Sequence, residues 1–161
     1  MNTAYLCLGG NIGNTRAIFK KAIEQIESGI GRCVLKSRLY TTEPWGFEAE
    51  QLFLNQVVVV ETELEPHAIL ELCQQTEAEL GRTRSGKGYQ PRTIDIDILF
   101  IDNQIINLPD LKVPHPLLHL RNFVLQPMCD VAPQLVHPVL KKTMAELRDE
   151  CADEGGCKVA E

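Results

Sequence analysis

No run of the chain approaches the roughly 18 apolar residues that cross a bilayer. Its opening, MNTAYLCLGG, has no basic stretch ahead of a long apolar one. Membrane insertion and export are therefore not expected, and a cytoplasmic location is. Excess positive charge is missing too: 16 Lys and Arg face 22 Asp and Glu, a formal net charge of -6. Nucleic acid and anionic membranes reward the opposite balance, so neither is an expected partner, and any polyanion must be met by a local cluster of cations. The six cysteines (Cys7, Cys33, Cys73, Cys129, Cys151, Cys157) include no C-x-x-C pair. Cys7 and Cys73 fall in apolar periodic segments where a thiol acts as a small hydrophobe, and the set is read as reduced. No serine or cysteine stands at a motif spacing from a histidine and an acid, so nothing favours covalent nucleophilic catalysis.

What is present is a chain of 161 residues, 44% hydrophobic, long enough for one core and short for two. A single domain over residues 1–161 is expected. TAYLCLGG reads as a strand running into a tight turn, and Ile18, Ala22 and Ile26 then recur at helical spacing behind Asn14, a candidate N-cap. RCVLKSRLYTT and LFLNQVVVVETEL are rich in β-branched and aromatic residues and read as strands, with a long loop, TEPWGFEAEQ, between them. Pro66 opens a second helix with Ile69, Leu72, Cys73, Thr76 and Leu80 on one face, and Gly81 ends it. TIDIDILFI is a further strand, DNQ a turn and IIN its partner strand. The order β-α-β-β-α-β predicts an α+β, ferredoxin-like antiparallel sheet with helices on one face. Beyond Pro109 comes an elaboration with short helices near 123–131 and 144–150, and the tail from about residue 150 is expected to fray. No exposed apolar helix stripe demands a second copy, so a monomer is expected.

The strand TIDIDILFI carries the chemistry. Side chains alternate along a strand, so Asp95 and Asp97 project from one face and Ile94, Ile96 and Ile98 from the other. Two hard oxygen anions about 6 to 7 Å apart at their Cα atoms suit Mg²⁺, which takes one or two carboxylates and completes its shell with water and phosphate oxygens. The preceding GRTRSGKGYQPR supplies Arg82, Arg84, Lys87 and Arg92 in an otherwise acidic protein. Carboxylates for a metal beside guanidinium groups for phosphate oxygens is what phosphoryl chemistry requires, although solvated carboxylates on a half-buried strand and exposed ion pairs would look alike locally. Two resemblances to nucleotide loops fail. GRTRSGKG follows a helix and has Gly88 where a P-loop needs Ser or Thr, and GGNIGN has Leu8 in place of the first glycine of G-x-G-x-x-G. Pro114 and Pro116 argue against a helical zinc site at His115 and His119, and His67 and His137 read as surface residues.

GRTRSGKGYQPRTIDIDILF, together with YTTEPWG, FLNQVVVVET, VPHP and RNFVLQPM, resembles the 6-hydroxymethyl-7,8-dihydropterin pyrophosphokinase family over roughly residues 5–133. The resemblance implies transfer of pyrophosphate from ATP to the hydroxymethyl group of a reduced pterin in folate biosynthesis, with release of AMP. It implies that Asp95 and Asp97 ligate two Mg²⁺ ions that accompany ATP as co-substrate, and that Arg82 and Arg92 hold the phosphates. It further implies nucleotide contacts at Leu70, Gln74, Glu77, Arg84, Ile98, His115 and Arg121, and pterin contacts at Thr42, Trp45, Phe53, Asn55 and Phe123. Tyr89, Ser85, Asp110 and Lys112 depart from the pattern of some members, and residues 81–91 have the composition of a closing lid. Two other readings stand beside it: a non-catalytic ferredoxin-like binding module, and a nucleotidyl transferase built on the D-x-D pair, which would release pyrophosphate.

Overall fold

The computed structural model describes residues 1–11, 13–42, 53–81, 93–153 and 156–160. The chain runs in order through β1 (Asn2–Gly10), α1 (Thr15–Gly29), β2 (Arg32–Lys36), β3 (Tyr40–Thr42), β4 (Phe53–Thr62), α2 (Pro66–Gly81) and β5 (Asp95–Ile101). The remainder adds β6 (Ile106–Leu108), β7 (Leu111–Val113), a 3-10 turn at Leu118–Leu120, α3 (Asn122–Val131), α4 (Met144–Glu150) and β8 (Cys157–Val159). β1 lies between β4 and β5 and is antiparallel to both, β2 and β3 pair with β4, and β8 extends the sheet beyond β3.

The near-continuous apolar runs of β1 and β4 follow from burial on both sides. Ala4, Leu6, Leu8, Val58, Val60, Ile96 and Ile98 meet Phe19, Ala22 and Ile26 of α1 and Ile69 and Cys73 of α2. On the other face Cys7, Val57, Leu99 and Phe100 meet Val124, Leu125 and Met128 of α3 and Met144 and Leu147 of α4. Helices therefore cover both faces of the sheet, where the sequence pointed to one, because the C-terminal elaboration folds back over the side that α1 and α2 leave open. Asn14 caps α1, its Oδ1 accepting from the Ala17 N–H at 3.3 Å. The chain leaves α1 through Gly31, where a Cβ would stand 2.0 Å from the Glu61 carbonyl oxygen, so only glycine passes there.

Four local expectations change. RCVLKSRLYTT is two strands, because Ser37 turns its Oγ to the Val57 N–H at 2.9 Å and breaks the ladder between β2 and β3. Ile106–Leu108 pairs with Leu111–Val113 and not with β5; the turn after β5 is instead tied to β1, with Asp102 Oδ1 accepting from the Thr3 N–H at 2.9 Å. The tail does not fray over its described part, since Cys157–Val159 pairs with β3. His137 is buried, its Nδ1 accepting from the N–H groups of Val139 and Leu140 at 3.1 Å each and its ring edge-on to Phe100. All six cysteines are free, with Cys7 and Cys73 buried. No helix among the described residues is long and apolar enough to cross a membrane.

Candidate active site

β5 sets out the carboxylates as the alternation dictates. Asp95 and Asp97 are exposed while Ile96 and Ile98 are buried against the α1 and α2 side. Asp95 stands opposite Gly9 and Asp97 opposite Cys7, so both acids lie on the face that α3 covers. From the helical side, Glu77 of α2 reaches the outer margin of β5, where its Oε2 accepts from the Ile96 N–H at 2.9 Å. That bond satisfies the backbone amide midway between the two aspartates and fixes the strand that presents them.

One row of the sheet runs Asn55, Gly9, Asp95 across β4, β1 and β5. A Cβ on Gly9 would stand 2.9 Å from Asn55 Oδ1, so the missing side chain is what lets the buried Asn55 amide occupy its place. The row spans about 10 Å, two strand spacings. Its centre is a strip of bare backbone between a polar amide and a carboxylate. Phe53 lies two residues before Asn55 on the same face, with Thr42 opposite it on β3. Gly10 is constrained separately, because a Cβ there would stand 2.4 Å from the Thr93 carbonyl oxygen. The glycine pair is thus the close-packed end of β1 and not the turn that its sequence implied, and Gly9 has in addition a place in the site that the turn expectation did not give it; a glycine inside a strand was the available signal.

The remaining side chains arrive from the C-terminal part. Arg121 begins α3 and holds its guanidinium 5.5 Å from the centre of the Phe123 ring. His115 is anchored to β5 by its N–H, which donates to the Leu99 carbonyl at 3.0 Å, and its Nδ1 accepts from the Leu117 N–H at 3.1 Å. Burial lowers the His115 pKa below the usual histidine value; the Asp97 charge opposes that shift and Arg121 reinforces it. His115 is therefore neutral near pH 7, with its proton on Nε2. The neighbouring thiols are not nucleophiles. Burial raises Cys7, helped by Asp97, and Cys73 is pushed up to about 12 by burial, Glu77 and Asp97.

Asp95, Asp97, His115, Arg121, Phe123, Asn55, Phe53 and Thr42 thus belong to one side of the sheet. Leu70, Gln74 and Glu77 come from α2 on the other side, and of the three Glu77 bonds to β5. Leu70 packs at the border of the helical core, Gln74 is exposed, and Ile98 is 6% exposed and turned into that core, away from the acids. Arg82, Arg84, Arg92 and Trp45 lie outside the described residues, as do most of the expected lid and the loop carrying Trp45. Among the described residues no group of three or more His, Cys, Asp or Glu could hold a metal unaided. An exposed pair of carboxylates does fit Mg²⁺ that brings the rest of its shell as water and phosphate oxygens.

Comparison with known proteins gives a consistent result. The family model of 7,8-dihydro-6-hydroxymethylpterin-pyrophosphokinase matches residues 5–133. A 2-amino-4-hydroxy-6-hydroxymethyldihydropteridine pyrophosphokinase of Porphyromonas gingivalis is 45% identical over 141 residues, 86% of this chain and 95% of that protein. One of the same name from Bacillus subtilis is 41% identical over 135 residues, 83% of this chain and 80% of that protein. Among solved structures, wild-type Plasmodium falciparum HPPK-DHPS with pteroate superposes with a TM-score of 0.76 at 19% identity, over 92% of this chain. This chain spans 44% of that longer one, and at such identity the likeness speaks for the fold alone.

Proposed function

The chain belongs to the 7,8-dihydro-6-hydroxymethylpterin-pyrophosphokinase family, and from that premise we propose that it transfers the pyrophosphoryl group of ATP to the hydroxymethyl group of 6-hydroxymethyl-7,8-dihydropterin in folate synthesis, releasing AMP. The hydroxyl oxygen attacks the β-phosphorus, the bond from that phosphorus to the α,β-bridging oxygen breaks, AMP departs with the bonding pair, and the hydroxyl proton passes to solvent. The observation that carries this reading is the placement of Asp95 and Asp97 on the same sheet face as Asn55, with the bare backbone of Gly9 between.

Asp95 and Asp97 are the residues that would hold Mg²⁺, two ions in the fuller reading. When bound with ATP, the metal neutralises phosphate charge and aligns the β-phosphorus for in-line displacement. The work of the chain itself is positioning. Glu77 holds β5 in register through the Ile96 N–H. Phe53 and Phe123 offer π-faces to a flat heterocycle, and Asn55 offers a paired donor and acceptor to its edge. Thr42 and Trp45 complete the pterin wall. Neutral His115, with Nε2–H free of the Leu117 contact, donates to a nucleotide oxygen, and Arg121 supplies positive charge beside it. Leu70, Gln74, Arg84 and Ile98 line the nucleotide side, Ile98 through its backbone since its side chain is buried. Arg82 and Arg92 take the phosphates and the developing charge. The whole chain acts as one unit, a ferredoxin-like frame of β1, β4 and β5 with α1 and α2, to which the C-terminal part adds α3. It works as a monomer in the cytoplasm.

Incubation with Mg-ATP and 6-hydroxymethyl-7,8-dihydropterin tests the proposal. AMP and the pterin diphosphate should appear in equal amounts. Release of pyrophosphate would instead favour a nucleotidyl transferase, and no turnover a binding module.

A further inference from the structure

α3 starts the segment that carries Arg121 and Phe123, yet its own N-cap residue, Arg121, makes no side-chain capping bond. The cap comes from 31 residues further on. Asp153 Oδ2 accepts from the Asn122 N–H at 3.0 Å, and the Asn122 side-chain Nδ2–H donates to the Asp153 carbonyl oxygen at 2.7 Å. A carboxylate on the first amide of a helix satisfies an orphan donor and sits at the positive end of the helix dipole. Just beyond, Cys157–Val159 pairs with β3, setting Cys157 opposite Thr42 and Val159 opposite Tyr40. The Ala160 N–H then donates to the Leu39 carbonyl at 2.8 Å. The C-terminal segment is therefore fastened at one end to the helix start that bears Phe123 and at the other to the strand that bears Thr42.

We propose that this segment is a positioning strap for the pterin subsite, and that Asp153 is its key residue, acting through the Asn122 amide to fix where Phe123 stands relative to β3 and β4. The proposal rests on the assignment of Phe123 and Thr42 to the pterin given above. It goes beyond that assignment, because Asp153 is neither a substrate contact nor part of the matched residues 5–133. The opposite end of α3 is already tied to β3 by Asp130, which accepts from the Arg38 N–H and Nε and from the Tyr40 hydroxyl at 3.0, 3.0 and 2.8 Å. Loss of the strap should therefore free only the end of α3 that faces the pterin.

The test compares Asp153→Ala, Asp153→Asn, a chain ending at residue 150, and Phe123→Ala as a control, by calorimetric titration with the pterin and, separately, with Mg-ATP. Asp153→Ala should weaken pterin binding about fivefold, the scale of a lost helix cap, and ATP binding, which meets this helix start only through Arg121, by clearly less. Asp153→Asn keeps an oxygen for the Asn122 amide and should recover most of the loss, while the shortened chain should lose more. Hydrogen exchange should quicken at residues 122–124 and at β3 in Asp153→Ala and not in β1. The proposal is overturned if Asp153→Ala binds pterin like the wild type while Phe123→Ala does not, or if it loses both ligands equally. An unaffected Phe123→Ala would instead remove the pterin assignment, and the strap with it. If the shortened chain fails to fold, the two point variants decide alone.

Discussion

At Gly9 a single methyl group separates two outcomes. An alanine Cβ would stand 2.9 Å from Asn55 Oδ1 and must displace that amide. Gly9→Ala should therefore raise KM for the pterin about tenfold or more, in the range of one or two lost hydrogen bonds, and leave KM for ATP nearly unchanged; steady-state kinetics with each substrate varied in turn would show it. Equal KM values for mutant and wild type would mean that Asn55 does not read the pterin. At this scale the sequence was most legible where the period-two alternation decides the outcome. Asp95 and Asp97 face out, Ile96 and Ile98 face in, and Phe53 shares a side with Asn55. It was less legible where a polar residue finds partners in its own loop. His137 looks like a surface residue because nothing in HPVLKK announces that two backbone N–H groups will converge on its ring nitrogen.

At the scale of elements, β5 is held on one side by β1 and touched on the other by Glu77. Glu77→Ala exposes the Ile96 amide at the point that sets both aspartates, and should lower both the melting temperature and kcat. Glu77→Gln still accepts from that amide and should recover the melting temperature. A full recovery of kcat as well would show that Glu77 acts by geometry, whereas stability restored without kcat would show that its charge faces the nucleotide. Differential scanning calorimetry alongside initial rates distinguishes the two. β1, α1, β4, α2 and β5 were legible because each carries its own signal: an apolar run, a cap such as Asn14, or a proline such as Pro66 at the helix start. The split at Ser37, the β6–β7 ribbon and β8 were not, since each is decided by a partner distant in sequence or by a side-chain bond to the backbone that periodicity does not register.

For the molecule as a whole, the second core joins the catalytic sheet to the C-terminal part, and His137 sits against it through Phe100. Burial lowers the His137 pKa below 6.5, with His119 adding to the shift, and its Nδ1 already accepts two N–H groups. The unfolded chain thus takes up this proton at a higher pH than the folded one. Its contribution to stability is complete above about pH 6.5 and is lost as the pH falls from there through the folded-state value. His137→Asn, whose side-chain oxygen can accept from the same amides, should flatten that part of the acid dependence in urea unfolding measured at pH 7.5 and 5.5; an unchanged slope would remove His137 as the cause. In the proposed mechanism the outward acids of β5 gather magnesium and so seat the phosphates of ATP on this face of the sheet. The most direct measurement is titration with Mn²⁺, followed by its electron paramagnetic resonance, with and without a non-hydrolysable ATP analogue, for the wild type and for Asp95→Asn and Asp97→Asn. The wild type should bind Mn²⁺ tightly only with the nucleotide present, and both folded variants should lose that binding. Undiminished nucleotide-dependent binding in either variant would contradict the mechanism.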